Sequence, residues 1–255
     1  MPDNAPKAVS ELLDLSGRSV LVTGASGNIG RGIARRLAEA GAAIIAHYHS
    51  GDSAARRLLD EIGAGTTAQA DLSDAPAVEA LLAETAPDLV VNNASIQPVQ
   101  PLADISPGDW RHVHAANLDS AFFVTRCAAR SWQAKARGGA IVNIASIEGN
   151  DPAEGHAHYA SSKAALLMLT RACALEYGHA GIRVNAVSPG LIDRAGLADA
   201  WPEGVQRWAD RAPLGRLGTP KDVADAVLFL LSPAARWISG ANLVVDGGMS
   251  AQSKW

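Results

Sequence analysis

The sequence predicts an α/β fold, a doubly wound parallel seven-stranded sheet with helices on both faces, and three observations predict it. Short apolar runs alternate with longer stretches of helical periodicity along almost the whole chain, the rhythm of repeated βαβ units. The first of these runs leads straight into a glycine-rich turn and then into a helical pattern. The 255 residues are the length of one α/β domain with a substantial core.

Taken in order, residues 1–17 are polar and proline-containing and read as a loosely attached N-terminal leader, with 18–255 as the single domain. The strands fall at 19–23, 43–48, 66–70, 89–92, 140–145, 183–188 and 243–245. Helices fill the gaps, with long ones over 107–135 and 158–177 and a shorter one over 221–231. The segment 193–216 interrupts the rhythm, and an irregular insertion of that length reads as a substrate lid.

The first strand runs into Thr23-Gly24-Ala25-Ser26-Gly27-Asn28-Ile29-Gly30, followed by the helical pattern Ile33, Ala34, Leu37, Ala38. Strand, glycine turn and helix N-terminus in that order make a cradle for a dinucleotide phosphate. Glycines let the backbone approach the pyrophosphate, and the helix dipole favours its charge. Gly24, Ser26, Gly27, Asn28, Ile29 and Gly30 are the candidate cofactor residues there, and the fold is Rossmann-like. Further along, Tyr159-Ala-Ser-Ser-Lys163 sets a phenol and an ammonium four residues apart on one helix face. A neighbouring cation favours the ionised phenol, so the expectation is that Lys163 lowers the Tyr159 pKa and makes an acid/base of it.

These pieces occur together with Ala70-Asp71-Leu72, Asn92-Asn93-Ala94-Ser95, Asn117, Ser146, Asn185-Ala186-Val187-Ser188-Pro189-Gly190 and Val245-Asp246-Gly247-Gly248. In that order and at those separations, from Arg18 to Met249, the chain resembles a single-domain short-chain dehydrogenase/reductase. The resemblance implies a catalytic set of Asn117, Ser146, Tyr159 and Lys163. Ser146 would donate to the substrate carbonyl, Tyr159 would give or take the proton, and Lys163 would hold the nicotinamide ribose. Asn117 would mark a local helix break whose backbone holds a water leading to Lys163. Asp71 with Leu72 would hold the adenine, an N-cap for the next helix being the alternative for Asp71. Asn93, Ala94 and Ser95 would line the cofactor, as would Pro189, Gly190 and Ile192. No metal is required.

Two departures stand out. The family turn is T-G-x-x-x-G-x-G, whereas here Asn occupies position 28 and the middle glycine is Gly27. That spacing is similar to extended members of the superfamily that act on nucleotide sugars, so a non-redox lyase or epimerase stays open, as does a catalytically silent cofactor-binding regulator. Asp193-Arg194 stands where a threonine commonly contacts the nicotinamide carboxamide.

At the end of the second strand His47, Tyr48, His49 and Ser50 precede any carboxylate, with Arg56 a turn into the next helix. A carboxylate there selects NAD; its absence and the neutral or positive donors favour NADP(H) over NAD(H). The alternative is that the histidines cap an exposed strand end. The substrate pocket should be lined by Ser95, Ile96, Gln97, Glu148, Asn150, His156 and Leu191, with Trp201 and Trp208 from the lid. Gln97, Glu148 and His156 lean toward a polar carbonyl or alcohol substrate. A polyol or sugar, a 3-oxoacyl thioester and a pterin-like ring stay open.

A net charge of −4 without a basic run argues against nucleic acid as a partner. With neither a signal-like start nor a membrane-length apolar stretch, a cytoplasmic protein is expected. Cys127 and Cys173 are read as buried structural thiols. The two long helices carry more apolar residues than one core-facing stripe uses, which points to a homotetramer, with a homodimer next.

Overall fold

The structure of the protein is a computed structural model and describes residues 8–252. Its strands are β1 (Ser19–Val22), β2 (Ala43–Tyr48), β3 (Thr66–Gln69), β4 (Leu89–Asn92), β5 (Gly139–Ile144), β6 (Ile182–Pro189) and β7 (Asn242–Val245). They pair in parallel in the order β3-β2-β1-β4-β5-β6-β7. Every predicted strand is present within a residue or so of its expected ends, because a sheet covered on both faces needs apolar runs. Successive residues of β1 face opposite cores: Val20 and Val22 pack on one side and Leu21 on the other.

The helices are α1 (Asn28–Glu39), α2 (Asp52–Ile62), α3 (Ala75–Thr85), α4 (Pro107–His114), α5 (Ser120–Ala134), α6 (Ala157–Tyr177), α7 (Leu197–Ala200), α8 (Pro202–Arg211) and α9 (Pro220–Leu231). Ile33, Ala34 and Leu37 of α1 pack with Leu58 of α2 and Val223, Val227 and Leu231 of α9 on one face. Val78, Leu81 and Leu82 of α3 pack with Val124 and Trp132 of α5 and Cys173 of α6 on the other. Capping boxes start α4 (Ser106 with Asp109) and α9 (Thr219 with Asp222). α1 has neither a side-chain cap nor an acid in its first turn. Its N-terminal N–H groups are therefore left for a ligand or water.

Three expectations need correction. The stretch 107–135 is not one continuous helix: a π-helical turn, Ala115–Asp119, separates α4 from α5, at the local break expected at Asn117. Asn117 sits within it, its side chain turned away to grip the backbone of Ile96, accepting from Ile96 N at 2.8 Å and donating to its carbonyl at 2.9 Å. The insertion 193–216 is not irregular but carries α7 and α8. Residues 1–7 of the expected leader lie outside the described residues, and its second half is not loose. Leu15 is 2 % exposed within the core, and its N–H donates to Ala40 O at 2.8 Å. Of the two thiols, Cys173 is buried and Cys127 half-buried. Among the described residues, no helix is long and apolar enough to cross a membrane.

Candidate active site

A cleft of about 1720 Å³ opens at the carboxyl ends of the strands, where ligands of open α/β sheets bind. Every predicted cofactor residue lines it. At its floor Gly24 holds a left-handed φ of +61°, and a Cβ on Gly30 would run into the Gly24 carbonyl oxygen. Asn93 fixes this turn from β4: its amide donates to Thr23 O at 2.9 Å and to Gly24 O at 3.1 Å. The Thr23 hydroxyl in turn accepts from Asn93 N at 2.8 Å and Ala94 N at 2.9 Å. A rigid glycine turn under an uncapped helix N-terminus fits the diphosphate of a nicotinamide dinucleotide. Asp71 forms a local turn, accepting from the backbone N–H and hydroxyl of Ser73. The N-cap of α3 is Asp74 instead, which removes the capping alternative for Asp71.

His47 does not do what its sequence position suggests. It is 2 % exposed, its Nδ1 accepting from Gly24 N at 3.1 Å and its Nε2 lying 3.2 Å from Ala70 O. A carbonyl only accepts, so Nε2 carries the proton and the ring is neutral. Burial pushes its pKa down to about 4. His47 is thus a strut between glycine turn and sheet, with both ring nitrogens engaged and its imidazole held neutral by burial rather than offered as a cation to a phosphate. Arg56 is likewise committed, to Asp52 at 2.9 Å.

Ser146 follows β5, and Tyr159 and Lys163 lie one above the other in the first two turns of α6. The Tyr159 hydroxyl is hydrogen-bonded to Ser146, whose oxygen also accepts from Glu148 N at 3.1 Å. Lys163 stands 5.5 Å from the centre of the Tyr159 ring and donates to Ile144 O at 2.8 Å. Both side chains are buried, at 7 % and 2 % exposure. Burial pushes the phenol up to about 12, against the pull of Ser146 and with a smaller push from the Glu148 charge. Burial pushes the ammonium down to about 7. The expected lowering of the tyrosine by its lysine is therefore reversed here, because desolvation favours the neutral form of each. Asn117, 1 % exposed, does not reach the cleft. It ties Ile96 to α6 through Ser162 Oγ at 3.1 Å and is a positioning residue.

On the substrate side Glu148 accepts from His156 Nδ1 at 2.8 Å and from Gln97 Nε2 at 2.9 Å, beside Tyr159. These three, with Ser95, Ile96, Leu191, Trp201 and Trp208, line the cleft as predicted; Asn150 does not. From the segment 193–216, expected to line the pocket, Arg194, Arg207 and Arg211 do so; Arg207 and Arg211 were not singled out in the sequence. Their signal was the i, i+4 spacing of Arg207 and Arg211 in a stretch taken as irregular.

Residues 24–250 match the family described as enoyl-(acyl carrier protein) reductase, the adh_short_C2 branch of the short-chain dehydrogenases. The chain belongs to the short-chain dehydrogenase/reductase superfamily. It is 39 % identical over 248 residues to L-rhamnose 1-dehydrogenase (NAD(P)(+)) of Azotobacter vinelandii, covering 91 % of this chain and 96 % of that one. It is 40 % identical over 254 residues to (3R)-3-hydroxyacyl-CoA dehydrogenase of Mus musculus, covering 93 % and 98 %. Among solved structures it superposes on a gluconate 5-dehydrogenase from Burkholderia cenocepacia J2315, in complex with NADP and tartrate, with a TM-score of 0.89 at 34 % identity, covering 95 % and 99 %. The superfamily member described here is an NAD(P)-dependent dehydrogenase acting on alcohol and carbonyl groups.

Proposed function

We propose that this dehydrogenase interconverts a secondary alcohol and a ketone, or a hemiacetal and a lactone, within a polyhydroxylated substrate, with Tyr159 as acid/base and NADP(H) preferred over NAD(H). The observation that carries the substrate class is the Gln97–Glu148–His156 cluster beside Tyr159. With side chains only 14–15 % exposed, Glu148 and His156 form a fixed polar wall. Such a wall rejects an apolar skeleton, because its polar groups would lose water without gaining a partner. The rhamnose and gluconate dehydrogenases among the relatives act on compounds of this kind.

Bound nicotinamide supplies the hydride acceptor or donor at its C4. Ser146 orients the reacting oxygen by hydrogen bonding. Tyr159, whose pKa burial raises, gives its phenolic proton to the carbonyl oxygen in reduction; in oxidation its deprotonated form takes the hydroxyl proton. One Lys163 N–H is held by Ile144 O, and its remaining donors serve the ribose hydroxyls. Cofactor preference rests on what the end of β2 offers. His49, Ser50 and the N-terminal residue Gly51 of α2's cap line the cleft, while the Asp52 carboxylate is bound to Arg56. No carboxylate of β2 or its following turn is left to repel a 2′-phosphate.

Turnover of hexitols, aldoses and aldonates is compared with that of a hydroxysteroid and a 3-hydroxyacyl-CoA, using both cofactors. A preference for the steroid or thioester defeats the substrate reading; higher kcat/KM with NAD(H) defeats the cofactor reading. Assembly follows from the outer faces of α5 and α6, where Phe122 and Met168 stay 40 % and 59 % exposed. A homotetramer that buries them is expected, and a monomeric mass in sedimentation at micromolar concentration refutes it.

A further inference from the structure

The lid helix α8 turns one stripe to the cleft: Gly204, Arg207, Trp208 and Arg211, at helical spacings i, i+3, i+4 and i+7. The stripe is built. The Trp201 ring lies flat on the first turn of α8, in space that a Cβ on Gly204 would fill, and the Arg207 guanidinium stacks over that ring at 5.7 Å. Trp208 packs closely on Gly190, just after β6, and so seats α8 over the part of the cleft that Gly190 lines.

Glu203 stands four residues before Arg207, the favourable spacing for an ion pair, and Asp210 precedes Arg211. Neither forms one: Asp210 accepts from Gln206 at 2.7 Å, and among the described residues no ion pair reaches Arg207 or Arg211. Two like charges a turn apart repel each other unless an anion lies between them. The cofactor's 2′-phosphate is not that anion. It belongs at the end of β2, four strand positions from β6 in the sheet order, which is roughly 19 Å at about 4.8 Å per strand.

We infer that Arg207 and Arg211 receive an oxyanion of the substrate, a carboxylate or a phosphate ester, so that the substrate is a polyhydroxylated acid held at its anionic end by the lid and at its hydroxyls by Gln97, Glu148 and His156. This rests on the polyhydroxy reading above and narrows it. Guanidinium groups suit such an anion because their planar forks pair with two oxygens at once. The lid then closes on the charge the substrate carries, while Tyr159 works on the alcohol.

The experiment compares wild type, Arg207→Gln, Arg211→Gln and the double variant on aldonates, a sugar phosphate and neutral hexitols. Thermal melting confirms that each variant folds, and ADP-ribose affinity is measured alongside. The expected result is a wild-type preference for one of the anionic sets, aldonate or sugar phosphate, which identifies the source of the oxyanion. In the double variant the ratio of its kcat/KM to that of the hexitol falls by about 10- to 100-fold, through KM. Arg207→Lys should keep part of the preference, and raised salt should erode it in wild type only. A preference for hexitols, or a ratio unchanged in the double variant, overturns the inference and leaves the polyhydroxy reading standing. A matching loss of ADP-ribose affinity overturns it in favour of the cofactor's pyrophosphate. Failure of aldonate, sugar phosphate and hexitol alike overturns both.

Discussion

The Asn28 side-chain amide donates to the Asp193 carbonyl at 2.7 Å, joining the glycine turn to the start of the segment 193–216 across 165 residues of sequence. Where relatives with the usual turn carry glycine, this chain carries a side chain that reaches over the phosphate cradle. The bond is exposed and so worth about 0.5–1.5 kcal/mol. Its consequence is local. Asn28→Gly should leave the melting temperature nearly unchanged while amide exchange across 193–216 speeds up several-fold, read by hydrogen-exchange mass spectrometry. Unaltered exchange in that segment would show that it is held by the packing of Trp208 on Gly190 without help from Asn28.

Tyr159→Phe keeps the ring that packs beside Lys163 and removes the hydroxyl, with its proton and its hydrogen bond to Ser146. Turnover should fall by ~10²–10⁴-fold, with dinucleotide affinity changing little. Because Tyr159 keeps its proton up to about pH 12, ketone reduction should be nearly flat across neutral pH, while alcohol oxidation should rise with pH. Oxidation that slows as pH climbs from 6 to 9 (about the range set by ordinary histidine and thiol titration) would mean another group takes the proton.

Lys163 carries a stability cost whose pH dependence has a definite sign. Its folded pKa is lowered to about 7 from the model-compound value of 10.5. Between those values the unfolded chain binds more protons, so stability rises with pH across that window. Below about 7 the fold must hold a buried ammonium. Lys163→Met should therefore raise the melting temperature, most at acidic pH and progressively less toward pH 10.5. Melts across this range decide it: a gain that grows with pH would show that the bond to Ile144 matters more than the desolvated charge.

What could be read from the sequence follows from how each feature is encoded. Buried parallel strands such as Leu89–Asn92 are written in consecutive apolar residues, and the glycine turn is written in residue types no other geometry requires. The π-helical turn at Ala115–Asp119 leaves no such mark, because one extra residue in a helix hardly disturbs its apolar spacing. Asn117, out of place by propensity, was the single clue to it. α8 escaped because it packs with a tryptophan and a glycine instead of an apolar stripe. The direction of the Tyr159 shift differs from the sequence expectation because i, i+4 spacing reports proximity and says nothing of burial.

His47 is the remaining case where the same residue admits two chemistries, and substitution separates them. As a strut it joins Gly24 N to Ala70 O behind the glycine turn, and its loss should affect both cofactors alike. His47→Leu leaves a buried N–H and a carbonyl without partners, at about 1–3 kcal/mol. NADP(H) and NAD(H) should then weaken by the same factor in fluorescence titrations, whereas His49→Ala with Ser50→Ala should weaken NADP(H) alone. The pH dependence separates them too. The folded pKa of His47 is lowered to about 4 from 6.5, so its contribution to stability is complete above about pH 6.5 and is lost as pH falls toward 4. Acid should therefore destabilise wild type more than His47→Leu over that interval. If His47→Leu instead lowered only NADP(H) affinity, the ring would be a phosphate ligand and its place behind the glycine turn would be incidental.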